Sequence, residues 1–310
     1  MKIALMFSGQ GSQYLGMGKE LYEKYESFRD VFKLAEELTD YPLTEIMFND
    51  EMKLSQTIYT QVCLFTMYHA ILTILKEKVV ESQYSLGLSL GEYGAYLHNE
   101  VFDFETGLKI VKERGFLMEK STQKTSGKMS AIIGLSEENI LNLIKKVPGY
   151  ITIANYNTNN QFVVSGEEKS ILTFNELALI NGAKRAILLK TNGAFHSEMM
   201  KDAEQEFELF LKDYNLQKPQ KNLFINIIGD LYQCDMNIKD ALVKQISNSV
   251  KFTQMIEKAI DEGIDTFIEI GPKKTLCSFV KKINREVLVL NIEDESSLNQ
   301  TLTKLEDNNG

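Results

Sequence analysis

Cysteine is scarce: Cys63, Cys234 and Cys277 are the only three in 310 residues, and they lie far apart. That spacing offers neither a disulfide framework nor a metal-binding knuckle, and it suits small buried residues in a reducing compartment. Basic residues are also in deficit, with 34 Lys and Arg against 43 Asp and Glu and a net charge of −9. Bulk nucleic-acid binding needs the opposite balance, because Lys and Arg are what neutralise phosphates. Arginine is confined to Arg29, Arg114, Arg185 and Arg285, and histidine to His69, His98 and His196. Long apolar runs are missing as well. The run at residues 3–7 stops at Ser8-Gly9-Gln10, too short for a signal peptide's hydrophobic core. No stretch offers the roughly 18 consecutive apolar residues of a membrane span. The expectation is a cytoplasmic protein without membrane association.

What is present is the composition of a folded chain, 44% hydrophobic and 25% charged. The length exceeds the usual domain of about 100–200 residues, so one large domain carrying a smaller one is expected. Residues 2–7 read as a buried strand. A helical period runs through Val62, Phe65, His69, Leu72 and Leu75, and a weakly signalled strand at 83–86 leads into Gly87-Leu88-Ser89-Leu90-Gly91. A further helix covers 104–119. From 127 to 191 the grammar changes to strand, helix, two strands, helix, strand, with Ser136 capping the first helix and Asn181-Gly182 stopping the second. The βαββαβ order is ferredoxin-like. This segment is read as an insert in an α/β body made of 1–126 and 192–310. After it, strands at 223–228, 266–270 and 287–290 alternate with helices and predict a mainly parallel sheet. The polar tail from Glu293 to Gly310 is expected to be loosely held.

Gly87–Gly91 fits the G-x-S-x-G nucleophile elbow, in which a strand turns so sharply into a helix that only glycines fit around the exposed serine. A serine hydroxyl needs a base. His69 sits among Phe65, Met67, Ile71 and Leu72, as a histidine packed at the core margin would. His98 lies too far along the helix after the elbow to fold back on Ser89. His196, in Gly193-Ala194-Phe195-His196-Ser197, follows the last strand of the insert and precedes a helix, a place open both to a base and to a helix-capping role. Arg114 admits two readings: a surface arginine paired with Glu113 or Glu119, or a bidentate clamp for a carboxylate. Periodicity does not choose between them.

Eight motifs in order resemble the malonyl-CoA:acyl-carrier-protein transacylase family. They are Gly9-Gln10-Gly11-Ser12-Gln13, Thr60-Gln61, Gly87–Glu92, Arg114–Met118, Ala154–Asn157, Gly193–Ser197, Asn248-Ser249-Val250 and Glu269-Ile270-Gly271-Pro272. The motifs fall between Gly9 and Pro272, and the resemblance as a whole runs from residue 3 to about 285. The resemblance implies a hydrolase-like body with a ferredoxin-like insert and an active site in the cleft between them. It implies Ser89 as nucleophile, His196 as general base and acid, and an oxyanion hole from the backbone N–H groups of Gln10 and Leu90. Arg114 would bind the malonyl carboxylate, the Asn248 backbone carbonyl would orient His196, and Gln61 and the Asn155/Asn157 region would line the cleft. Phe195 would crowd an α-methyl branch, as in malonyl-selective members. Leu88 departs from the histidine that many members carry there; that position is not the base.

The expected reaction moves malonyl from malonyl-CoA to the phosphopantetheine thiol of an acyl carrier protein for fatty-acid synthesis, with no metal or organic cofactor and as a monomer. A discrete polyketide acyltransferase would use the same residues. An acyl-thioester hydrolase, or a carrier-binding protein without activity, are the more distant alternatives. Acidic carriers would meet this acidic chain at a local basic cluster, for which Lys184-Arg185, Lys273-Lys274 and Lys281-Lys282 are candidates.

Overall fold

The computed structural model describes residues 1–124, 126–191 and 193–308. After β1 (Ile3–Phe7) come four helices to which the sequence pattern assigned nothing: α1 (Lys19–Lys24), α2 (Glu26–Thr39), α3 (Leu43–Asn49) and α4 (Glu51–Leu54). Then follow α5 (Thr57–Glu77), β2 (Tyr84–Gly87), α6 (Gly91–His98) and α7 (Phe104–Lys124). The next block is β3 (Gly127–Ile133), α8 (Glu137–Ile144), β4 (Ile151–Thr158), β5 (Gln161–Glu167), α9 (Glu168–Ile180) and β6 (Arg185–Leu188). A 3₁₀ turn at Glu198–Met200 leads to α10 (Lys201–Leu211), β7 (Asn222–Ile225), β8 (Asp230–Leu231), α11 (Ile238–Gln245) and α12 (Phe252–Asp261). β9 (Thr266–Ile270), α13 (Thr275–Ile283), β10 (Leu288–Ile292) and α14 (Glu295–Asp307) complete the chain.

Two sheets result. The larger runs β10-β9-β1-β2-β7-β8, parallel from β10 to β7, with β8 antiparallel at the edge. β1 is apolar throughout because both of its faces are covered, as a central parallel strand requires. The smaller sheet, β4-β5-β3-β6, is fully antiparallel with α8 and α9 as its crossovers, and is the expected ferredoxin-like unit. Ser136 caps α8 by accepting from Asn139 N. The expected boundary at 191/192 touches Asn192, which lies outside the described residues.

α5 is buried nearly all round in the main core, beside α2 and α7. By length and composition it would also serve as a membrane span, contrary to the expectation that no such segment exists; here most of it lies inside the protein. The stretch from Glu293 also departs from expectation, since Glu295–Asp307 is a helix, not a loose tail. Its polar composition hides an apolar stripe at Leu298, Leu302 and Leu305 that packs on the core, and Asp294 with Ser297 forms a capping box.

The two sheets are stitched together. Val250 N–H donates to Ala154 O at 2.8 Å and Tyr156 N–H to Val250 O at 2.9 Å, so β4 gains a parallel partner from the large body. Met129, Ala154 and Val163 of the small sheet belong to the main core, while its other face packs separately under α8 and α9.

Candidate active site

The site begins where β2 meets α6. Ser89 has φ 55°, the left-handed region that costs a non-glycine residue about 1–2 kcal/mol. The turn is tight enough that a Cβ on Gly87 would fall 2.0 Å from Gly91 C, and one on Gly91 2.0 Å from Phe7 O. Both glycines of the elbow are therefore steric necessities. Ser89 N–H donates to Asn226 Oδ1 at 2.8 Å, Gly91 N–H to Leu88 O at 3.0 Å and Glu92 N–H to Ser89 O at 3.1 Å. Leu90 N–H has no acceptor among the described residues.

Ser89 Oγ lies 2.7 Å from His196 Nε2. On the other side of the ring Nδ1 lies 2.9 Å from Gln245 O. A carbonyl only accepts, so Nδ1 carries the proton and Nε2 is left free to accept from the serine. Burial, and then the Arg114 charge, push the His196 pKa down to about 4, against the raising effect of the Gln245 and Asn248 carbonyls. The ring is neutral at pH 7 and able to act as a base. The orienting contact is a correction: it comes from Gln245, with the expected Asn248 a further contributor. Gln245 ends α11, where carbonyls lack the amide four residues on and are free for another donor.

Arg114, on α7, is 1% exposed. Its Nη1 donates to Gln61 Oε1 at 2.7 Å, and its Nη2 to Gln245 Oε1 at 2.9 Å and Ser89 Oγ at 3.2 Å. The guanidinium carbon sits 5.0 Å from the Tyr93 ring centroid. Among the described residues Arg114 makes no ion pair. The surface-pair reading is excluded: Glu119 instead accepts Ile58 N–H at 2.8 Å. The buried acid whose charge bears on Arg114, Glu92, is held by Asn226 N–H at 2.7 Å and by the Gln245 side-chain amide, and burial raises its pKa to about 8.

The Gly9–Gln13 loop faces the elbow. Ser12 Oγ ties it to Gly9 O at 2.7 Å, Tyr68 O–H bonds Ser8 O, and Lys273 Nζ reaches Gly11 O at 3.2 Å. Gln10 N–H, like Leu90 N–H, has no acceptor among the described residues. A cleft of about 1500 Å³ opens over these groups, lined in part by Gln10, Ser89, Asn157, Phe195, His196 and Lys273. Gln61 is not on its wall as expected; it is buried behind the guanidinium, where it accepts from Arg114 and reaches Gln10 Oε1 at 3.4 Å. His69 stacks on Phe104 with ring centroids 4.1 Å apart, and His98 contacts Ser82 O at 3.2 Å. Neither belongs to the site.

Sequence reasoning missed Gln245 and Asn226. Gln245 had a faint signal, a polar residue in the apolar stripe of Leu242 and Ile246. Asn226 had none, since it lies just past a strand end and acts on residues 137 and 139 positions away.

A hydroxyl against a neutral imidazole at the floor of a cleft, on a hydrolase-like sheet, is the equipment of a serine-dependent acyl-transfer enzyme. The chain belongs to the acyl transferase domain family, whose model matches residues 5–307. It is 35% identical over 312 residues to the malonyl CoA-acyl carrier protein transacylase of Bacillus subtilis (strain 168), covering 99% of this chain and 98% of the relative. The crystal structure of the malonyl CoA-acyl carrier protein transacylase from Clostridium perfringens superposes with a TM-score of 0.95 at 40% identity, over 99% of this chain and 98% of that one. A malonyl-transacylase solved in complex with its type II polyketide acyl-carrier protein gives a TM-score of 0.95 at 30% identity, over 98% of this chain and 100% of that one.

Proposed function

We propose that the protein is a malonyl-CoA:acyl-carrier-protein transacylase supplying fatty-acid synthesis. The observation that carries the malonyl assignment is the buried, anion-free guanidinium of Arg114, 3.2 Å from the nucleophile's oxygen. A buried cation without a partner is costly, and a substrate carboxylate supplies the partner.

His196 Nε2 takes the Ser89 proton as Oγ attacks the thioester carbon. The developing oxyanion is met by Gln10 and Leu90 N–H, a kind of contact worth roughly 3–4 kcal/mol per donor. The C–S bond breaks, the CoA thiol leaves with the proton from His196, and malonyl-Ser89 remains. The phosphopantetheine thiol then enters, gives its proton to His196 and attacks the ester, whose serine oxygen leaves and is reprotonated. Arg114 holds the malonyl carboxylate throughout, while Phe195 crowds the α-carbon. The scheme draws on no metal or organic cofactor, and we take the enzyme to be a cytoplasmic monomer. Of the lysine pairs, Lys273-Lys274 lies nearest the cleft and best suits carrier docking, whereas Lys281 is committed to Arg285 O and Val287 O.

The test is intact-protein mass after brief exposure to malonyl-, acetyl- and methylmalonyl-CoA, beside Ser89→Ala. A malonyl adduct on the wild type alone, discharged by a holo acyl carrier protein, is expected. Steady release of free malonate without an adduct would indicate a hydrolase. Faster discharge to a polyketide carrier than to a fatty-acid carrier would move the protein to that pathway.

A further inference from the structure

β7 pairs with β2 only at Tyr84↔Asn222 and Ser85↔Leu223. Beyond that the strands part, because β2 must turn into the elbow. The strand expected to continue to Ile228 ends at Ile225, and the next residue leaves the ladder. That residue, Asn226, is fully buried and takes over with its side chain. Nδ2 donates to Gly87 O at 2.7 Å, and Oδ1 accepts Ser89 N–H at 2.8 Å. Its own N–H donates to Glu92 Oε1 at 2.7 Å, and its carbonyl accepts Lys251 N–H at 3.0 Å. One residue thus grips the elbow before, at and after the serine, and is itself anchored from α12's side. The planar amide offers a donor and an acceptor side by side, the pattern a neighbouring strand's backbone would present.

We propose that Asn226 is the positioning residue of the nucleophile. It holds Ser89 in its left-handed conformation so that Oγ meets His196 and Leu90 N–H faces the acyl oxygen. This rests on Ser89 being the nucleophile. An asparagine that merely satisfied buried polar groups would affect stability alone, because folded enzyme would keep its serine geometry.

The experiment uses full-length Asn226→Leu and Asn226→Asp, assayed well below their melting temperatures. Two readouts are taken: malonyl loading, and labelling of Ser89 by a small fluorophosphonate that needs no malonyl site. In Asn226→Leu both should slow by about 100-fold, the effect of an ångström of misplacement, with KM for malonyl-CoA unchanged. In Asn226→Asp a protonated carboxyl reproduces the donor and the acceptor, whereas a carboxylate has nothing to donate to Gly87 O. Its labelling rate relative to wild type should therefore fall as pH rises. Wild-type labelling by Asn226→Leu, a loss confined to KM, or a pH-independent Asp ratio would each overturn the proposal. If wild-type protein forms no malonyl adduct yet the labelling contrast holds, the transacylase reading fails and the positioning role stands.

Discussion

Arg114 rests on amide oxygens and a tyrosine ring, so its charge is solvated by neutral groups and awaits an anion. Arg114→Gln should lower kcat/KM for malonyl-CoA by about 100-fold while leaving acetyl-CoA loading the same or faster, since a clamp for a carboxylate gives nothing to a methyl group. Competition between the two thioesters, read by adduct mass, measures it. The same charge helps hold His196 near a pKa of about 4. The base-competent neutral ring therefore persists well below 6.5, and kcat/KM should stay flat from neutral pH downward, falling only as pH drops through about 4. Stability gives way earlier. The unfolded chain binds protons at His69, His98 and His196 below about 6.5, whereas each of the three takes up its proton in the fold only near 4. Stability from these groups is thus lost as pH falls from 6.5 to 4. Rate profiles taken with melting curves at each pH separate the two effects.

Among elements, the elbow was the most legible, because its chemistry is written in glycine. Gly91→Ala would bring a Cβ onto the backbone carbonyl of Phe7, which cannot yield without moving β1. We expect at least about 3 kcal/mol of destabilisation in urea unfolding, together with loss of Ser89 acylation. The small sheet was legible too, since turn and cap residues mark its strands and helices. By contrast α1 to α4 went unread, because three of the four are only one or two turns long, too short for a period to emerge from seven or fewer residues. α14 was misread for a different reason: three leucines suffice to dock a helix, while its other positions carry the polar composition of a tail. Setting aside His69 and His98 left His196 as the candidate base, but the residues alone left a helix-capping role equally open, and only the family resemblance chose between them. Arg114 could not be resolved, as helix periodicity says nothing of what a buried guanidinium faces. Gln245 and Asn226 act across 156 and 137 residues, through contacts that only the assembled sheet creates.

At the scale of the molecule, the insert is not an independent module. Met129, Ala154 and Val163 would be stripped of their covering if the segment were excised. Residues 127–191 expressed alone should lack a dispersed amide spectrum, and the full chain should melt in one transition seen alike by near- and far-ultraviolet circular dichroism. Two transitions would mean that the seam at Val250 contributes little.

That seam has a mechanical consequence. The short run from Gln245 to Val250 is gripped at one end by the imidazole and at the other by the edge of β4, with Ser249 Oγ bonded to Ile153 O at 2.6 Å. It works as a lever between the insert and the base. Ser249→Ala, which touches neither Ser89 nor Arg114, should lower kcat for transfer and leave KM for malonyl-CoA in place, because the slackened run seats the ring less firmly. Any movement of the insert against the body would press on the same lever, so that the seam between the sheets and the seating of the imidazole share one strut.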